Sequence, residues 1–219
     1  VCSLFFVEAQ NITVTGALTG NGSYATLGAA VTAVGTSQAG ANIVMSVVGN
    51  TTETGTVTIG AGTWASLRIQ PSGGAARTIS GAIAAGSPLI DLSGADNVTF
   101  DGLNTGSNSL TISNTTASAT SGTATVRFIG GATNNKITNC SVLGSASMAV
   151  ATNGGVIFFR TDVTTANGND NNEISNCNIG PAGANLPSKG IYGNGSTSTT
   201  AIGNSGITIN NNNIYNVFG

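Results

Sequence analysis

Histidine is absent from all 219 residues of this sequence, so acid–base chemistry would fall to its carboxylates. Its absence excludes Ser-His-Asp and Cys-His catalysis and imidazole-based metal sites. The acids are Glu8, Glu53, Asp91, Asp96, Asp101, Asp162, Asp170 and Glu173. Glycoside hydrolysis needs two carboxyl groups close together on one face, and Asp91, Asp96 and Asp101 form the only cluster in the chain. They are weak candidates. Asp91 falls at a strand position equivalent to Arg127, which suits a cross-strand ion pair. Asp96 sits in the turn sequence GADN, where aspartate commonly bonds its own backbone, and Asp101 precedes Gly102 in a similar corner. A calcium-dependent lyase would need acids gathered beside an arginine base, and neither Arg127 nor Arg160 has such a cluster. Asp162, Asn167, Asn169 and Asp170 in TDVTTANGND offer oxygen ligands, but their spacing matches no defined calcium loop and reads as a polar turn. No catalytic residue, metal or cofactor is assigned.

The elements that would position these residues are revealed by a repeat. Residues 134–142 (NNKITNCSV), 171–179 (NNEISNCNI) and 207–214 (ITINNNNI) align without gaps, and NVTFDGL from Asn97 is an earlier copy. Phe100, Ile137, Ile174 and Ile209 are then equivalent, at spacings of 37, 37 and 35 residues. A second apolar strand precedes each copy: PLIDLSG, TVRFIGG, GVIFFRTD and KGIYGNG. Each unit therefore carries at least two strands, with the alternation of a sheet buried on one face. The connections are rich in Gly, Asn, Ser and Thr and lack helical periodicity, which argues against helical repeats and βα units.

Strands that recur at this period and stack on their own copies predict an all-β, right-handed, single-stranded parallel β-helix, a solenoid with coils about 4.8 Å apart. The rival all-β sandwich does not call for such regular recurrence. Asn139, Asn176 and Asn211 then form one structural ladder at a turn, each able to bond the copies above and below. Cys140, Cys177 and Asn212 fill the next column. The two cysteines lie within disulfide reach; parallel in-register side chains point the same way, which favours stacked reduced thiols, while in an exported chain a disulfide stays open as the alternative.

The front of the chain differs. GSYATLGAAVTAV, residues 22–34, places Leu27, Ala30, Val31 and Val34 at helical spacing and predicts a short N-terminal capping helix. VCSLFFVEAQ reads as the tail of a secretory signal peptide, with Cys2 inside the removed segment. The expected division is a partial signal peptide tail over 1–10, the cap and first strands over 11–60, and β-helix coils over 61–219, with the natural protein starting upstream and continuing past Gly219.

Apolar residues make up 40% of the chain and charged residues only 6%, a balance that favours folding and leaves the surface to Thr, Ser, Asn and Gly. Six Lys and Arg residues provide no basic patch for nucleic acid. No run reaches the roughly 18 apolar residues of a membrane span.

GNTTETGTVTI from Gly49, SLRIQPSGG, TISG, SPLIDLSGADNVTFDGLN, SLTISNTT, ATNNKITNC, GVIFFRT and GNDNNEISN together resemble the β-helix domain of large secreted or cell-surface proteins of Bacteroidota, over residues 11–219. Such proteins often carry adhesive modules and a C-terminal signal for type IX secretion. The resemblance implies a secreted or cell-surface location and a non-catalytic scaffold or adhesin-like module, with a polysaccharide or cell-surface glycan as partner. The alternative is a polysaccharide-active enzyme, a lyase or glycoside hydrolase of the pectate-lyase-like β-helix class. Ice binding ranks last, because strict Thr-x-Thr columns are not evident. Oligomeric state is not indicated.

Overall fold

The computed structural model describes residues 9–161, 167–196 and 199–218. The expected leader over 1–10 lies outside these residues except for Ala9 and Gln10, as does Asp162.

The chain is a parallel β-solenoid of about five turns, each turn laying one strand on each of three sheets. The first coil comprises Asn42–Val47, Thr51–Glu53 and Val57–Gly60, and the second Ser66–Pro71, Ala76–Gly81 and Pro88–Ser93. The third comprises Val98–Asp101, Ser109–Asn114 and Ala124–Ile129, and the fourth Lys136–Thr138, Cys140–Gly144 and Gly155–Phe159. The fifth comprises Glu173–Ser175, Asn178–Pro181 and Ile191–Gly193; Thr208–Asn210 and Asn213–Ile214 begin a sixth. In that order within a coil, the strands belong to sheets 1, 2 and 3. Every coil-to-coil pairing is parallel, as stacked copies require.

The sequence repeat sets the register. Phe100, Ile137, Ile174 and Ile209 pair in succession along sheet 1, so the spacing read from sequence is the physical length of a coil. The same column continues backwards through Ile69 to Met45. There the coils are shorter, and that is why the repeat is invisible in that part of the sequence. Met45, Ile69, Phe100, Ile137 and Ile174 are fully buried, and Ile79, Ile112, Val142 and Ile179 form the matching inner column of sheet 2. Phe128 and Phe159 stack in sheet 3 with ring centroids 4.5 Å apart, one rung above another.

A segment such as KITNCSV is two strands, not one. The chain turns from sheet 1 to sheet 2 at Asn139, whose φ of 58° is left-handed, and it does the same at Asn176 and Asn211. Asparagine accepts this conformation more readily than other residues bearing a side chain. Gly102 occupies the same column one coil earlier for another reason: a Cβ there would stand 1.9 Å from the Asn139 carbonyl oxygen.

The helix is shorter than the sequence periodicity predicts, spanning Leu27–Val34. Thr26 caps it, its hydroxyl accepting from the Ala29 N–H at 3.1 Å, and Gly35 ends it with its N–H turned back to Val31. Gly22–Tyr24 is instead a strand, antiparallel to Ile12–Thr15, which itself runs antiparallel along Asn42–Val47. The N-terminal edge of sheet 1 is thereby occupied by antiparallel strands, and the helix seats Leu27, Ala30 and Val34 on the end of the core.

Glu53 fixes this cap. Its carboxylate is buried and accepts from the N–H groups of Leu27 at 2.9 Å and Gly28 at 3.0 Å, the first donors of the helix, which have no partner within it. Glu53→Ala is therefore expected to lower stability by about 2 kcal/mol, read as a fall in the urea midpoint, with Glu53→Gln retaining part of the loss.

Candidate functional site

The three candidate aspartates do not converge on one site. Asp91 lies on sheet 3 directly beneath Arg127. It accepts from Nε at 2.9 Å and from a terminal guanidinium nitrogen at 2.7 Å, a bidentate pair that is largely buried. Asp96 lies at the corner before sheet 1, where one carboxylate oxygen accepts from the N–H of Thr133 at 2.8 Å and its hydroxyl at 2.6 Å, one coil on. Asp170 repeats that arrangement with Ser205, at 2.7 and 2.8 Å. Asp101 ends a sheet 1 strand; one oxygen meets Arg68 at 2.5 Å, and the other accepts from the Leu103 N–H at 2.8 Å and Asn139 Nδ2 at 3.0 Å. Glu173 pairs with Lys136 at 2.9 Å. Its carboxyl is held below its ordinary range by the Ser175 hydroxyl and then by Lys136. With Glu53 capping the helix, every described carboxylate is engaged by a protein donor.

In the expected ladder, Asn211 donates to Asn176 at 2.5 Å, whereas Asn139 donates to Asp101. The adjacent column points into the wall. Cys140 Sγ faces the Phe100 carbonyl at 3.7 Å, Cys177 Sγ the Ile137 carbonyl at 3.5 Å, and Asn212 Nδ2 the Ile174 carbonyl at 2.8 Å. Thiol and amide thus do the same job on successive coils, and both cysteines are free and buried. Burial pushes the Cys177 thiol up to about 11. Cys140 is also raised well above its ordinary value, by burial first and then by Cys177 and Asp101.

A second polar column escaped sequence reasoning. Asn135 and Asn172 are almost completely buried, continuing the inward position of Val98. The Val98 N–H donates to the Asn135 carbonyl oxygen Oδ1, and the Asn135 N–H to Oδ1 of Asn172, both at 2.9 Å. Their Nδ2 groups donate to Ala95 and Ala132 one coil below, at 2.8 and 2.9 Å. The signal was the NN dipeptide at 134–135 and 171–172, in which the first asparagine takes a left-handed turn and the second goes inside. Asn169 works likewise: Oδ1 accepts from Ala132 and Nδ2 donates to Arg160 and Asn204, so its amide is part of the wall.

The outward face of sheet 1 holds what charge the surface concentrates. A groove of about 570 Å³ there is lined by Ser66, Arg68, Thr99, Asp101, Lys136, Thr138, Asn139 and Asn176. Arg68, Thr99, Lys136 and Glu173 share one outward column on successive rungs. Asp101 and Glu173 stand two rungs apart, with about 10 Å between their strands, and each carboxylate is turned to its own basic partner, Arg68 and Lys136. Arg68, Lys136 and Glu173 could have been found from the alternation in SLRIQ, NNKIT and NNEIS, where each neighbours a buried Leu or Ile. Among the described residues, no helix is long and apolar enough to cross a membrane. No family model matches the chain, and no curated protein or solved structure proved similar to it.

Asp91→Ala leaves Arg127 buried without its partner and is expected to cost about 3–5 kcal/mol in urea unfolding. Asp91→Leu combined with Arg127→Met should recover most of that loss. In a Cys2→Ser chain, neither Cys140 nor Cys177 should react with an aromatic disulfide reagent at about pH 8, where an ordinary cysteine is partly ionised, until denaturant opens the fold; rapid labelling of that native chain would contradict their burial.

Proposed function

We propose that this chain is a non-catalytic scaffold or adhesin-like module of a secreted or cell-surface protein, which presents the outer face of sheet 1 to glycans. The observation that carries the reading is the engagement of every described carboxylate: none stands free with a base, nucleophile or second acid beside it. General acid–base chemistry needs a proton-transfer group within reach of a substrate and with a proton to exchange. Here the acids cap a helix, tie one coil to the next or close ion pairs. The groove supplies what sugar recognition requires instead. Planar amide, guanidinium and carboxylate groups lie beside hydroxyls along an open cleft, in a size range typical of ligand sites. The resemblance to Bacteroidota β-helix domains, with their type IX export, supports the location.

The test uses the chain on a panel of neutral and acidic polysaccharides, recording retention together with new reducing or unsaturated ends. Binding without new ends is the expected outcome. Cleavage that Asp101→Asn abolishes would overturn the reading and make sheet 1 the face of a polysaccharide-active enzyme.

A further inference from the structure

Sheet 1 gathers two of the chain's six basic residues into one outward column. Arg68 and Lys136 both neighbour Thr99, one from the coil below and one from the coil above, so their stems are two rungs or about 10 Å apart. Thr99 and Thr138 are small and leave the space between them open. The groove lining rises from Ser66 and Arg68 through Thr99 and Asp101 to Lys136 and Asn139, then to Asn176. It crosses four successive coils, so its long direction follows the solenoid axis.

The two cations are incompletely used. Arg68 contacts Asp101 through one terminal nitrogen while its side chain remains 43% exposed. Arginine carries several N–H donors in one plane, and the exposed part of this guanidinium is open to an oxyanion beside Asp101. The negative charge of Asp101 is already shared with the Leu103 N–H and the Asn139 amide. Lys136 is tied to Glu173 by an ion pair in which both side chains remain about one-third exposed, with values of 39% and 33%. Pairs this wet contribute little and exchange partners readily.

We propose that this groove binds a linear acidic polysaccharide running along the solenoid axis, with oxyanion groups on the chain meeting Arg68 and Lys136. The shared ligand chemistry is a carboxylate or a sulfate ester recurring along an extended glycan. The assignment rests on the glycan-binding reading above and names the class of glycan.

Isothermal titration of the chain with matched oligosaccharide series, one of uronic acids, one sulfated and one neutral, tests it. At least one acidic series should bind about tenfold or more tightly than the neutral one, weaken as salt is raised, and show by its preference which oxyanion is read. Arg68→Gln and Lys136→Gln should each reduce acidic binding severalfold, and together they should erase the preference for acidic over neutral chains. Arg77→Gln removes one charge from sheet 2 and should change nothing. Equal binding of neutral and acidic chains, or equal loss from Arg77→Gln, overturns the acidic assignment and leaves glycan binding standing. Retention of no glycan in any series overturns both.

Discussion

Everything in this molecule depends on like stacking on like. A parallel coil can be added only if each of its N–H and C=O groups meets a partner on the coil beneath and each inward side chain lands on one of similar size. The column from Met45 to Ile174 meets the second condition with fully buried residues on five successive rungs. The first condition is harder, because a coil must also turn corners, and at a corner the strand ladder is broken. Buried backbone groups left unpaired there would cost free energy comparable to a lost hydrogen bond each. Asparagine solves both problems. At Asn139 and its copies it takes the left-handed turn, and at Asn135 and Asn172 its amide gives the corner of the coil beneath both an acceptor and a donor.

That solution explains the scarcity of charge. A carboxylate can accept but not donate, so it closes an arrangement where an amide would pass it on. Asp96 and Asp170 appear where two donors of the next coil converge, and Glu53 where the first N–H groups of a helix do. Arg127 and Asp91 complete each other on sheet 3. On sheet 1 acids and bases face one groove together, and there they are arranged by rung and not around a point.

The solenoid could be read from sequence because the later coils are nearly equal in length, so Ile137, Ile174 and Ile209 announce their pairing directly. The third strand of each coil was hidden, since the corner at Asn139 or Asn176 occupies a single residue and leaves the apolar alternation looking continuous. The helix was placed too early because Gly22–Tyr24 has no feature that separates a short antiparallel strand from a helical lead-in; the boundary is set by Thr26 turning its hydroxyl onto Ala29. The charged groove on sheet 1 was least legible. The partners of Arg68 and Lys136 lie 33 and 37 residues away, Asp101 and Glu173, and no local pattern connects them.

The asparagine columns also determine how the molecule would age. Loss of an amide converts asparagine to aspartate, replacing a group that both donates and accepts with one that only accepts. At Asn211, which donates to Asn176, the change would set oxygen against oxygen; at Asn172 it would put a carboxylate where the Ala132 carbonyl expects a donor. Because each of these amides ties its own coil to the one beneath, one such event would loosen the seam between the two. The chemistry that lets the chain do without charge thus makes its durability a matter of keeping neutral nitrogen in place.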